Sequence, residues 1–170
     1  MIGGLVLGAI GGAIGGATSK KHYVYDSVVG SGGALSIGGS RVRRSSDDVS
    51  AGLQTDLDAI NAVYSDAGIT ASDGYHGEVG HYKKGKKSST TTLEDLLPSI
   101  ALSSSNATEN LALQQIMPKS FDSVESYVQA ISSIKQLSDT LNQLHVSVSK
   151  FDDATHVTVS HISGYTGDLA

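Results

Sequence analysis

The sequence predicts an α+β fold, a small and mostly antiparallel sheet packed on amphipathic helices and preceded by a Gly-rich apolar helix. Three observations predict it. A β-prone run near residue 25 is broken by glycine clusters, several apolar runs at spacings of three and four follow capping residues, and the first 19 residues carry no charge. A chain of 170 residues holds one domain with a real core plus an appendage. The boundaries follow composition: residues 1–21 as a Gly-zipper apolar segment, 22–145 as the α+β domain, and 146–170 as terminal strands or a frayed tail.

The head reads MIGGLVLGAIGGAIGGATS before Lys20 and Lys21. Gly4, Gly8, Gly12 and Gly16 stand four apart, a smooth ridge backed by Leu5, Ile10 and Ile14 if the segment is helical. Small residues at this spacing let helices approach closely in a bilayer. The run is short for a membrane span, and a close-packed helix or linker in a soluble assembly fits the same pattern. A secretory signal fits less well, because no basic residue precedes the apolar run.

Tyr23 to Val29 is strand-prone, Gly30-Ser-Gly-Gly33 turns the chain, and Ala34 to Ile37 with Val42 forms a second strand, bent or bulged at Gly38-Gly39. The glycine loop lacks both the Lys-Ser/Thr ending of a phosphate cradle and the dinucleotide fingerprint. Arg41, Arg43 and Arg44 form a small basic patch, read as a solvated strand end. Ser45-Ser-Asp-Asp48 caps a helix that steps through Leu53, Leu57, Ile60 and Tyr64 to a stop at Gly68. Short strands are expected at Ile69 to Ser72 and Glu78 to Lys83, with Lys83, Lys84, Lys86 and Lys87 in an exposed turn.

Thr92-Leu-Glu-Asp95 caps a short helix limited by Pro98. Ile100 to Leu102 reads as a strand, Ser103 to Asn106 as a turn, and Asn106-Ala-Thr-Glu109 as the cap of a helix ending before Pro118. The longest helix is expected from Asp122 to Leu144. Asp122 and Glu125 form its capping box, and Val124, Tyr127, Val128, Ile131, Ile134, Leu137, Leu141 and Leu144 form one apolar stripe along roughly 34 Å. After it, alternation at His145 to Ser149 and Thr155 to Ile162 suits a hairpin around Asp152-Asp153, unless the helix runs on and frays.

Motifs for chemistry are missing from the sequence. His76 and His81, like His156 and His161, are five apart, which suits neither a helix face nor one face of a strand. There is no His-Glu-x-x-His, no calcium loop and no Gly-x-Ser-x-Gly. The adjacent acids Asp47-Asp48 and Glu94-Asp95 fall at helix starts, where the dipole accounts for them. No catalytic, cofactor or metal residue is therefore assigned, and a hydrolase ranks last. The net charge of −5 argues against direct nucleic-acid binding as the main business. Cysteine is absent.

The order of pieces resembles the C-terminal region of tail tape-measure proteins of bacteriophages and prophages. The likeness runs through DLDAINAVYSDAGITAS, then Leu93-Glu-Asp-Leu-Leu-Pro98, Leu102-Ser-Ser-Ser-Asn106 and Ser120-Phe-Asp-Ser-Val-Glu125. It implies a structural virion protein of the tail, in contact with other tail proteins, with itself or with the host membrane during DNA delivery. The long helical ruler of that family is lacking, so the chain would be a terminal piece, a split gene or a degraded prophage remnant. The rival expectation is a small bacterial membrane-associated protein with an oligomerising glycine zipper and a soluble binding module.

Overall fold

Glycine placement and strand propensity build the first unit of the chain. The computed structural model describes residues 21–43, 50–153 and 156–162. Strands β1 (Lys21–Ser31) and β2 (Ala34–Arg43) form an antiparallel hairpin. Its turn is shorter than the expected Gly30 to Gly33: Gly30 and Ser31 are paired strand residues, and only Gly32 and Gly33 turn, with φ of 64° and 84°. Positive φ at both central residues matches the twist of the flanking strands and favours glycine. Pairing shifts between Ser27–Gly39 and Val28–Ile37, leaving Gly38 as the extra residue of a bulge at the expected glycine pair.

Strand β4 (His76–Lys84) pairs with the other side of β1, and β5 (Lys87–Thr91) pairs with β4. The sheet order is β2-β1-β4-β5, antiparallel throughout. An α+β fold with a mostly antiparallel sheet is thus what the chain adopts. Strand β5 was not expected: Lys-Ser-Ser-Thr-Thr offers no apolar alternation, and it sits at the sheet edge, where neither face demands one.

Helix α1 (Ser50–Ala67) packs against β2 on one side and against the long C-terminal helix on the other. Leu53, Leu57, Ile60, Val63 and Tyr64 are all buried, and fully burying each aliphatic side chain stabilises the fold by about 1.5–3 kcal/mol. The helix stops at Gly68, whose φ is 70°. Its expected cap, Ser45 to Asp48, lies outside the described residues. Asn61 on α1 reaches the backbone of β2, accepting from Leu35 N at 2.9 Å and donating to Leu35 O at 2.8 Å.

Strand β3 (Ile69–Ala71) pairs antiparallel with β6 (Leu102–Ser104). The second strand was expected at Ile100 to Leu102. Instead Ile100 is a buried core residue that closes the 3-10 turn Leu97–Ser99, and Ser103 and Ser104 are strand residues, not turn residues. Between β5 and that turn lies α2 (Leu93–Leu96), with the expected capping box of Thr92 and Asp95. Helix α3 (Ala107–Gln115) opens at Asn106, whose side chain accepts from Glu109 N at 3.0 Å.

Helix α4 (Val124–Gln143) starts one residue later than the sequence suggests. Its cap is Ser123, not Asp122: Ser123 Oγ accepts from Ser126 N at 3.0 Å, and Ser126 Oγ accepts from Ser123 N at 3.2 Å. A serine pair closes the same reciprocal box that Asp122 and Glu125 could have closed. The buried face is Tyr127, Ile131, Ile134 and Ser138, while Leu144 is 60% exposed. The stripe therefore turns away from the core at its end. His145 then adopts φ of 56° and breaks the helix without a glycine. The C-terminal strands β7 (Val146–Phe151) and β8 (Val157–Ile162) form the antiparallel hairpin, and buried Phe151 anchors it through a 2.6 Å bond from its N–H to Gln115 Oε1.

Candidate functional site

Alternation along β1 divides the four-stranded sheet into two unlike faces. His22, Val24, Asp26 and Val28 point into the protein and are buried, with Leu35 and Val79 beside them. Asp26 is held there by a hydrogen bond donated by Ser40 Oγ. Tyr23 and Tyr25 point the other way, and register sets their neighbours. Tyr23 pairs with Arg43 on β2 and Tyr82 on β4, whereas Tyr25 pairs with Arg41 and Gly80. Directly paired side chains stand about 4.5–5.5 Å apart at Cβ, so these residues form one surface.

Tyr25 spreads across β4 because Gly80 leaves room. A Cβ at Gly80 would sit 2.6 Å from Tyr25 Cδ1 and 2.0 Å from the Val24 carbonyl oxygen. The Tyr25 side chain hydrogen-bonds Ser89 on β5. Burial pushes its phenol above the ordinary value, against the opposing pull of the Ser89 bond and of Arg41. The guanidinium of Arg41 lies 5.2 Å from the Tyr25 ring centre and 5.9 Å from that of Tyr23. Its Nη2 also meets Glu78 Oε1 at 2.7 Å. Tyr23 and Tyr25 are 5.9 Å apart, tilted by 33°. Cations over aromatic faces at this range attract by about 0.5–1 kcal/mol at exposed sites.

Charge gathers on the same sheet. Lys21, Lys84 and Lys87 are consecutive cross-strand partners, and Lys83 and Lys86 flank them at the β4–β5 turn. Seven of the chain's 12 Lys and Arg residues and two of its 17 Asp and Glu residues lie between residues 21–43 and 76–91. One of those two acids, Asp26, is buried on the inner face. The sheet is therefore strongly basic in a chain that is acidic in total. The lysine cluster, Arg41 and Arg43 lie on one sheet with Tyr23, Tyr25 and Tyr82 between them.

Elsewhere the interior carries polar features of other kinds. The hydroxyls of Tyr64 and Tyr127 meet at 2.6 Å between α1 and α4, and burial, first among the causes, drives both phenols far above the ordinary tyrosine value. Phe121 packs edge-on against Tyr127 at 4.8 Å. A cleft of about 560 Å³ opens beside this group, between Leu97, Ile100, Leu113 and Met117, with Lys119 on its lining. On the far side of α4, Glu109 Oε2 and Ser138 Oγ are buried without a hydrogen-bond partner and line a hollow of about 80 Å³. Lys135 and Asp139 also line it, and the 2.7 Å contact with Asp139 raises the lysine's pKa.

The sequence-predicted packing glycines Gly4, Gly8, Gly12 and Gly16 lie outside the described residues. Among the described residues no helix is long and apolar enough to cross a membrane, and no three His, Asp or Glu side chains converge as a metal site would require. His76 and His81 fall on opposite faces of β4, and His81 Nδ1 is 2.5 Å from Thr90 Oγ1. His156 faces Asp153 at 3.1 Å. No family model, curated protein or solved structure matches this chain.

Proposed function

We propose that this chain is a structural protein of a bacteriophage or prophage tail, of the kind found at the C-terminal end of tape-measure proteins, and that it works through contact surfaces. The observation that supports action through contact surfaces is the open face of the sheet. Tyr23, Tyr25, Tyr82, Arg41 and Arg43 are gathered there by cross-strand pairing, while the opposite face serves the core. Tyrosine and arginine supply most of the strong anchor points where proteins bind, because each combines a broad apolar body with a polar end. The tail assignment adds to this the order of the sequence stretches Leu93-Glu-Asp-Leu-Leu-Pro98, Leu102-Ser-Ser-Ser-Asn106 and Ser120-Phe-Asp-Ser-Val-Glu125.

The test is to purify particles from cells producing the chain and measure its peptides by mass spectrometry, with antibody labelling under the electron microscope. Enrichment in particles and labelling on tails is the expected result. Recovery in the bacterial envelope fraction with none in particles would overturn the reading in favour of the membrane-associated protein.

A further inference from the structure

We propose that the open face of the four-stranded sheet binds single-stranded nucleic acid, with bases stacked on Tyr23 and Tyr82 and phosphates held by Arg43, Lys84 and Lys87. This goes beyond the tail reading and names a partner of its own for that surface.

The first argument is electrostatic. Lys84 and Lys87 are direct cross-strand neighbours, and like charges placed opposite each other destabilise a sheet. An anion lying along that pair relieves the repulsion. Arg43 continues the positive edge on β2, beside Tyr23. The total charge of −5 averages over this arrangement. A polyanion approaching the sheet meets the local field, because charges beyond roughly 8–10 Å are screened at physiological salt.

The second argument is the chemistry of the tyrosines. Tyr23 and Tyr82 are cross-strand partners on the outer side and half-buried, with the Arg41 guanidinium 5.9 Å from the centre of the Tyr23 ring. Aromatic rings on a sheet that has cations around them accept successive bases without regard to sequence. Such stacking needs bases whose faces are free, so it selects single strands over duplexes. A neutral sugar chain fits less well. Carboxylates that would bind hydroxyl groups are scarce here, and Glu78 is engaged by Arg41. Ser89 and Thr91 on β5 add hydroxyls to the same face.

Register also gives the surface a direction. The lysine row lies at the end of the hairpin where β1 begins, the tyrosine pair comes next, and Arg41 with Glu78 closes the far side. That is room for about two or three bases, the number a small sheet platform stacks.

The chain has no tryptophan and 7 tyrosines, so tyrosine emission reports stacking directly. The experiment titrates the full chain with oligothymidylate of about ten nucleotides at low salt, reading emission and the anisotropy of labelled oligonucleotide. The expected result is quenching on binding, about tenfold weaker binding by Tyr23→Ala and Tyr82→Ala, and near-parental binding by Tyr23→Phe and Tyr82→Phe. Duplex DNA of the same length binds at least about tenfold more weakly. Arg43→Gln and Lys87→Gln each flatten the dependence of log K on log salt by about 0.7.

The inference is overturned if oligothymidylate does not bind. It is overturned equally if heparin and duplex bind as well as the single strand while the alanine variants match the parent, the behaviour of a plain cationic patch. Circular dichroism of each variant confirms folding, and the phenylalanine forms keep the ring where an alanine unfolds the sheet. A chain found in tail particles but indifferent to oligonucleotide loses this inference and keeps the tail assignment; one that binds oligonucleotide but is absent from particles does the reverse.

Discussion

The two faces of the four-stranded sheet come from the same four strands, one residue out of step, and they obey different physics. The inner face is governed by volume: Val24, Val28, Leu35 and Val79 are buried against α1 and the loops, and their neighbours cannot move far. The outer face is governed by charge and orientation, with rings and guanidinium groups in loose, solvent-facing contact. The contrast teaches that loss of a side chain should be read out differently on each side. Inside, it changes stability; outside, it changes what the protein holds.

The largest effect is expected at the junction of the inner face with the helices. Leu57→Ala removes a fully buried side chain and should destabilise the fold by about 2–5 kcal/mol, measured by urea unfolding. A value near zero would mean the helix does not seal the sheet.

A smaller effect, tuned by pH, is expected deeper in the interior. Tyr64 and Tyr127 have phenols raised well above 10, chiefly by burial. An acid whose folded pKa is raised stays neutral in the fold and ionises first in the unfolded chain. Its stabilising contribution is therefore complete below about pH 10 and is lost as pH climbs toward the folded value, by about 1.4 kcal/mol per pH unit for each tyrosine. Unfolding midpoints should fall steeply above that pH, and Tyr64→Phe should make the fall shallower. A flat alkaline profile would contradict the buried hydroxyl pair.

The smallest effect on stability belongs to the outer face. Arg41→Ala should change the unfolding free energy by less than about 1 kcal/mol, because the Arg41–Glu78 pair is largely exposed. If the loss instead rivals that of Leu57→Ala, the two faces are not separable and the distinction fails.

Much of this architecture was legible in the order of residues, and the reasons are local. The Gly32-Gly33 turn, the bulge at Gly38, the caps at Thr92 and Asn106, and the stop at Gly68 each depend on a few neighbouring residues with few alternatives. Where two adjacent residues could do the same job, the choice was hidden: Asp122 and Ser123 are both capping types, and Ser123 is the one that caps. Strand β5 was hidden because an edge strand of Lys, Ser and Thr carries no apolar signal. The open face was hidden for a different reason. Arg41 and Arg43 look like a strand end and Lys84 to Lys87 like a loop tip, and only the pairing of Tyr23 with Tyr82, 59 residues later, puts them on one surface.

Asn61 has a consequence for how copies of this chain can meet. Strand β2 is one of the two rims of the sheet, and its Leu35 amide and carbonyl are already engaged by a carboxamide from the helix above. A foreign strand arriving at Leu35 would find that one pair of docking groups taken and would have to evict a side chain to pair there. Pairing of another strand at the Leu35 end of that rim is thereby discouraged.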